Sequence, residues 1–197
     1  MPPPISPVVL LFTAIFTSNV LLSNFLGMCS FISVSNNLKS SHGLGLAVVL
    51  VMTITSILNW TIDHLILQPM GLDYLNLIVF IIVIAATVQI LEMVIERISP
   101  ALYMGLGIFL PLITVNCAIL GIVLFINIRS YGPLQALLFG IGSGIGWWLA
   151  IVSLAAIRIK VDKAPVPAGL KGPGITLIII GLMAMAFMGF SGMVSVQ

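Results

Sequence analysis

Two cysteines, Cys29 and Cys117, are the only thiols in this 197-residue chain. Each follows a set of helix breakers: Asn24 and Gly27 before the first, Pro111, Thr114 and Asn116 before the second. Proline removes a backbone donor and glycine weakens a helix, so both segments are expected to kink or unwind. A lone buried cysteine is ordinarily a small apolar packing residue. Two cysteines in matching broken segments suggest instead a pair of thiolates for a soft metal or an iron–sulfur centre. Such centres usually take four thiolates, so the other pair would have to come from another subunit. A Cys29–Cys117 disulfide is the competing chemistry, and it is disfavoured in the plane of a cytoplasmic membrane.

The acidic residues form a second group. Glu92 and Glu96 stand four apart and share a helix face. Asp63 and His64 lie toward the end of another apolar stretch, with Asp73 just beyond it. An ionisable group inside a membrane is a functional candidate by default, but one near an interface can snorkel to water at little cost. On that ground Glu96 and Asp73 are expected to be interfacial, while Asp63 and Glu92 stay open as participants in ion transport.

Other patterns carry less. The run Gly140-Ile141-Gly142-Ser143-Gly144-Ile145-Gly146 has no strand before it and lies in an apolar segment, so it does not read as a nucleotide loop. Small residues at this density let helices approach closely, and Trp147 and Trp148 are expected to pack on a neighbour. Met183, Met185, Met188 and Met193 are likewise expected to pack. The sequence contains no serine–histidine–acid set, phosphate loop or zinc spacing.

The elements that must position these residues follow from composition. Hydrophobic residues make up 60% of the chain and charged ones 6%, against about a quarter charged in soluble domains. That excludes a soluble enzyme and leaves nothing to recommend nucleic acid as a partner. Apolar runs long enough for a hydrocarbon core recur throughout. Six transmembrane helices are expected, over about 8–33, 44–67, 75–95, 104–126, 134–157 and 175–194: an all-α integral membrane fold and one membrane domain, 1–197. The opening Met1-Pro2-Pro3-Pro4, with its first basic residue at Lys39, lacks the charged region of a secretory signal, so the first span is expected to be retained.

Six of the seven basic residues, Lys39, Arg97, Arg158, Lys160, Lys163 and Lys171, fall in the first, third and fifth loops, and Arg129 alone in the fourth. The positive-inside rule then puts the odd loops in the cytoplasm and both termini in the periplasm. Three spans lie on each side of the third loop, so the halves, about 5–97 and 98–197, run in opposite orientations. Each opens on a broken span with one cysteine. That is the pattern of an inverted repeat, which places functional sites at the midplane between halves.

Several segments carry a family resemblance. Phe25-Leu26-Gly27-Met28-Cys29, Val88-Gln89-Ile90-Leu91-Glu92-Met93, Leu106 to Ala118 around Thr114-Val115-Asn116-Cys117, and Gly142-Ser143-Gly144-Ile145-Gly146-Trp147 resemble one family of membrane subunits, as do Val166-Pro167-Ala168-Gly169-Leu170 and Gly189-Phe190-Ser191-Gly192. These are the subunits shared by sodium-pumping NADH:quinone oxidoreductases and Rnf ferredoxin:NAD oxidoreductases. The glycine run and Thr114–Ile119 favour the E-type quinone-reductase member. The short second loop, Gln68 to Asn76, is more like the A-type Rnf member.

The resemblance implies a subunit that is not catalytic alone and belongs to an ion-translocating oxidoreductase of the bacterial inner membrane. It implies a homologous partner of opposite orientation, D-type (or, in Rnf, E-type), besides the other subunits and membrane lipid. The cysteines matching Cys29 and Cys117 would join two from that partner to hold an intramembrane 2Fe–2S centre, which relays electrons in step with sodium export. A stand-alone secondary transporter and a purely structural subunit are the alternatives from other classes.

Overall fold

The computed structural model describes residues 7–98, 110–165, 167, 169 and 171–191. Among them every regular element is helical. The first apolar span is not one helix. It runs as α1 (Pro7–Phe12), a π-helical turn (Thr13–Thr17), α2 (Val20–Asn24) and α3 (Met28–Val34). Two breaks divide it. At the first, Asn19 caps α2 by accepting from the backbone N–H groups of Leu21 and Leu22. At the second, Phe25 (φ 54°) and Gly27 (φ 84°) both enter the left-handed region, which no helix can continue through.

The second span is longer than expected. α4 (Leu38–Ile62) continues through a π turn (Asp63–Leu67) to Met70. At 1.5 Å per residue its 33 residues reach about 50 Å, well over a hydrocarbon core of about 30 Å. After a short 3₁₀ turn at Asp73–Leu75 comes α5 (Asn76–Ile98). The fourth span is expected over 104–126, and its start lies outside the described residues. The rest is broken into α6 (Leu110–Thr114) and α7 (Cys117–Ile128). α8 (Pro133–Val161) opens with proline in its first turn, and the Gly132 N–H donates to Gln135 Oε1. α9 (Pro173–Ser191) closes the chain.

α4, α5 and α8 are long and apolar enough to cross a bilayer, and the broken first and fourth spans and α9 supply shorter apolar helices. The core sits on the α4–α8 pair, with α1 and its π turn packed on α8. The glycine run of α8 makes this possible, because its glycines serve two faces at i, i+4 spacing. Gly140 and Gly144 meet α4, where a β-carbon at Gly144 would stand 2.9 Å from Val49 Cα. Gly142 and Gly146 meet the first span, where a β-carbon at Gly146 would stand 2.8 Å from the Ile15 carbonyl. Trp148 lies over Gly45 and Trp147 is fully buried, so both tryptophans pack as the sequence suggests. The methionines divide instead: Met183 packs on the core, whereas Met185 and Met188 face outward, and Met193 lies outside the described residues.

Two polar ties join the ends of spans far apart in the sequence. Arg158 Nη1, in the last turn of α8, donates to the Ile32 carbonyl at 3.0 Å and to Ser35 Oγ at 2.6 Å, tying α8 to the end of α3. Trp60 Nε1 donates to the Tyr131 carbonyl at 2.8 Å, joining the ends of the second and fourth spans.

Candidate metal centre

Cys29 and Cys117 both lie in the first turn of a helix that follows a break. Cys117 is the first residue of α7 and Cys29 the second of α3, capped by Asn116 and Gly27 respectively. First-turn N–H groups have no acceptor within their own helix, so they remain available to a ligand or a side chain. Asn116 Oδ1 takes one of them, accepting from the Ala118 N–H at 3.0 Å.

The fold brings the two breaks together. The Gly27 N–H donates to Cys117 Sγ at 2.9 Å. Asn116 Nδ2 donates to Ser30 Oγ at 3.3 Å, and Ser30 Oγ in turn donates to the Gly27 carbonyl. Leu26 lies over Gly121 of α7. Gly27 has no space for a side chain: a β-carbon there would stand 2.8 Å from Trp147 Nε1 and 2.9 Å from Asn116 Oδ1. Its positive φ requires glycine as well. Behind it, Trp147 Nε1 is buried without a hydrogen-bond partner.

Both thiols are free, and both are uncovered by the rest of the chain. Beside Cys117 opens a pocket of about 250 Å³, lined by Ile81, Ile84, Thr114, Val115, Asn116 and Leu120. The exposed Leu77 and Ile78, one helical turn before Ile81, continue this apolar surface along α5. Among the described residues no three of His, Cys, Asp and Glu gather into a ligand set. The chain thus presents two thiols at an uncovered, apolar, hydrogen-bonded junction, with no further cysteine of its own.

A family model for "Rnf-Nqr subunit, membrane protein" matches residues 8–194. The chain belongs to the Rnf-Nqr family of membrane subunits. Similar curated proteins include the E subunits of the Na(+)-translocating NADH-quinone reductases of Chlamydia trachomatis serovar L2 and serovar D. Each is 52% identical over 191 residues, covering 91% of this chain and 78% of the relative. Both are named as subunits of a reductase complex, in keeping with a chain that does no catalysis alone.

The other candidates separate in the structure. Glu92 is half-buried on α5, with Glu96 and Arg97 exposed beyond it. Asp73 falls in the 3₁₀ turn. Asp63 is far more enclosed than its place near a span end implies: its residue is 5% exposed. Sequence reasoning passes over Asn19, Ser30 and Trp147 as site residues. Asn19 is legible in part, since asparagine is a strong cap, but its bond from Nδ2 to the Gly146 carbonyl joins positions 127 apart.

Proposed function

We propose that this chain is the E-type membrane subunit of a sodium-translocating NADH–quinone reductase in a bacterial inner membrane, and that Cys29 and Cys117 supply half the ligands of an intramembrane 2Fe–2S centre. The observation that carries the reading is the Gly27 N–H donating to Cys117 Sγ at 2.9 Å. It closes one cysteine's break onto the other's while leaving both thiols uncovered. Backbone N–H groups aimed at cysteine sulfurs are among the features that set the potential of such centres. When bound, the centre supplies one-electron oxidation and reduction.

This chain's own residues do the positioning. Cys29 and Cys117 would each hold iron, the Gly27 N–H would stabilise charge on the Cys117 sulfur, and the Asn116–Ser30 bond would keep the two breaks in register. Ile81, Ile84 and Leu120 would exclude water from the Cys117 side. The remaining two thiolates would come from a homologous D-type partner seated against the uncovered junction. The broken first span of each half supports an inverted pairing of the halves, and the polar ties from Arg158 and Trp60 support the alternation of loops that such pairing needs.

The test is Cys29→Ala in the intact complex, with iron content, the paramagnetic signal of the reduced centre and NADH-driven quinone reduction all measured. The reading expects the signal and the electron transfer to vanish together. A complex that keeps both has its cluster elsewhere.

A further inference from the structure

The second span carries a polar site that the cysteine centre does not use. Asp63 opens the π turn of α4, and only 5% of its surface is exposed. π turns inside α-helices concentrate at functional positions, because the extra residue redirects side chains. Here Gln68, five residues on, donates through Nε2 to Asp63 Oδ2 at 3.1 Å. His64 Nδ1 approaches the same oxygen at 3.7 Å, with its ring stacked on Trp60 at 4.3 Å. Both contacts fall on Oδ2, so Oδ1 retains its lone pairs.

One helical turn before Asp63, Asn59 is 1% exposed. Its Nδ2 donates to the Thr55 carbonyl at 2.8 Å, which fixes the sense of the amide. Its Oδ1 is buried with no hydrogen-bond donor. An unpaired buried carbonyl oxygen is costly, and a buried carboxylate without a full counter-charge costs more. Both residues line one cavity of about 60 Å³, which is also bordered by Ser56, Asn127 and Ser130. Asn127 Nδ2 is buried and unpartnered as well, so no acceptor holds that amide in its present sense.

We infer that this cavity is a binding site for one monovalent metal cation, with Asp63 and Asn59 Oδ1 as its principal ligands. The donor chemistry decides the class. Carboxylate, amide and hydroxyl oxygens are hard ligands and suit alkali and alkaline-earth ions over soft metals. A single carboxylate neutralises one positive charge. A divalent ion would leave an excess charge buried in an apolar surround, and all-protein divalent sites recruit more carboxylates for that reason. The site binds by coordination alone, and no bond of the protein forms or breaks. The choice of sodium among monovalent ions rests on the reading that the chain works in a sodium-translocating reductase; the site itself does not.

The experiment is equilibrium binding of ²²Na⁺ to the purified intact complex at rest, comparing wild type with Asp63→Asn and Asn59→Ala. Asp63→Asn is expected to remove one bound sodium per complex. Asn59→Ala is expected to raise the half-saturating concentration of that ion at least about tenfold, or 1.4 kcal/mol. Iron content and the paramagnetic signal should match wild type in both. Should Asp63→Asn not assemble, Asn59→Ala decides alone, since it leaves the carboxylate in place. Sodium binding in the assembled variants indistinguishable from wild type overturns the inference. Loss of iron in Cys29→Ala is a separate readout, so failure of the cluster reading and failure of this site are told apart.

Discussion

The backbone N–H of Gly27 and the sulfur of Cys117 stand 2.9 Å apart across 90 residues of sequence. The bond exists because Gly27 holds φ at 84° and because the absence of a β-carbon lets Trp147 and Asn116 close on it from behind. Two independent requirements, conformation and space, therefore fall on one residue.

That coincidence makes Gly27→Ala informative beside Gly71→Ala. Gly71 also has positive φ (66°), but a β-carbon there would meet nothing within 4 Å. Both variants bear the left-handed penalty of about 1–2 kcal/mol. Only Gly27→Ala must also push the Trp147 indole and the Asn116 amide aside. The expected outcome is a complex with little iron–sulfur signal for Gly27→Ala, and near-normal signal with slightly lower thermal stability for Gly71→Ala. Iron per complex and the midpoint of thermal inactivation check it. Equal iron in the two would mean that the junction tolerates displacement.

The glycine run of α8 yields a second contrast. At Gly144 an added methyl would stand 2.9 Å from the Val49 backbone, and over-packing of this kind costs about 1–3 kcal/mol. At Gly181 in α9 a methyl meets nothing within 4 Å, so the gain in helix propensity, about 1 kcal/mol, is unopposed. Gly144→Ala should therefore lower the thermal midpoint of the complex and Gly181→Ala should hold or raise it. A neutral Gly144→Ala would show that α4 can move away from α8.

These contrasts also mark what is legible in the amino-acid order alone. The spans announce themselves in apolar length, and the breaks at Gly27 and Asn116 in residue types that end helices. The π turn at Asp63 does not. Asn59, Asp63 and Gln68 are spaced four and five apart, and nothing in their identities says that the helix widens between the last two to turn Gln68 onto Asp63. By its distance from the loop Asp63 reads as lying near an interface, while the cavity it lines is shared with Asn127 and Ser130, far from it in the sequence. Gly27 and Trp147 likewise meet only through the packing of α8 against the first span. Local chemistry is legible, and partnerships across spans are not.

Arg158 tests one such partnership. Its Nη1 serves both the Ile32 carbonyl and Ser35 Oγ at the end of α3, and hydrogen bonds from a charged donor contribute about 1.5–3 kcal/mol. Arg158→Lys keeps the charge near this end of the bundle, but its ammonium ends one bond short of the position that Nη1 holds between the two acceptors. It should recover part of the stability that Arg158→Ala loses, with the order wild type, Lys, Ala in half-life at elevated temperature. If Lys equals wild type, the charge alone matters and the paired geometry does not.

The same two polar ties lead to a prediction about sidedness. Arg158 ties the last turn of α8 to the end of α3, and Trp60 of α4 reaches the Tyr131 carbonyl beyond α7, so the fifth and first loops are expected to share one side of the membrane and the fourth and second loops the other. By sequence the basic residues favour the odd loops, and the positive-inside rule predicts that this side is cytoplasmic. Lys163→Cys and Tyr74→Cys place a thiol in each set, at residues that are both exposed. A membrane-impermeant maleimide, with wild-type labelling subtracted, should reach Tyr74→Cys in whole cells and Lys163→Cys only in inside-out vesicles. The reverse pattern would overturn the orientation but keep the alternation. Labelling of both from one side would overturn the alternation itself, and with it the opposed halves on which a shared cysteine centre at the midplane depends.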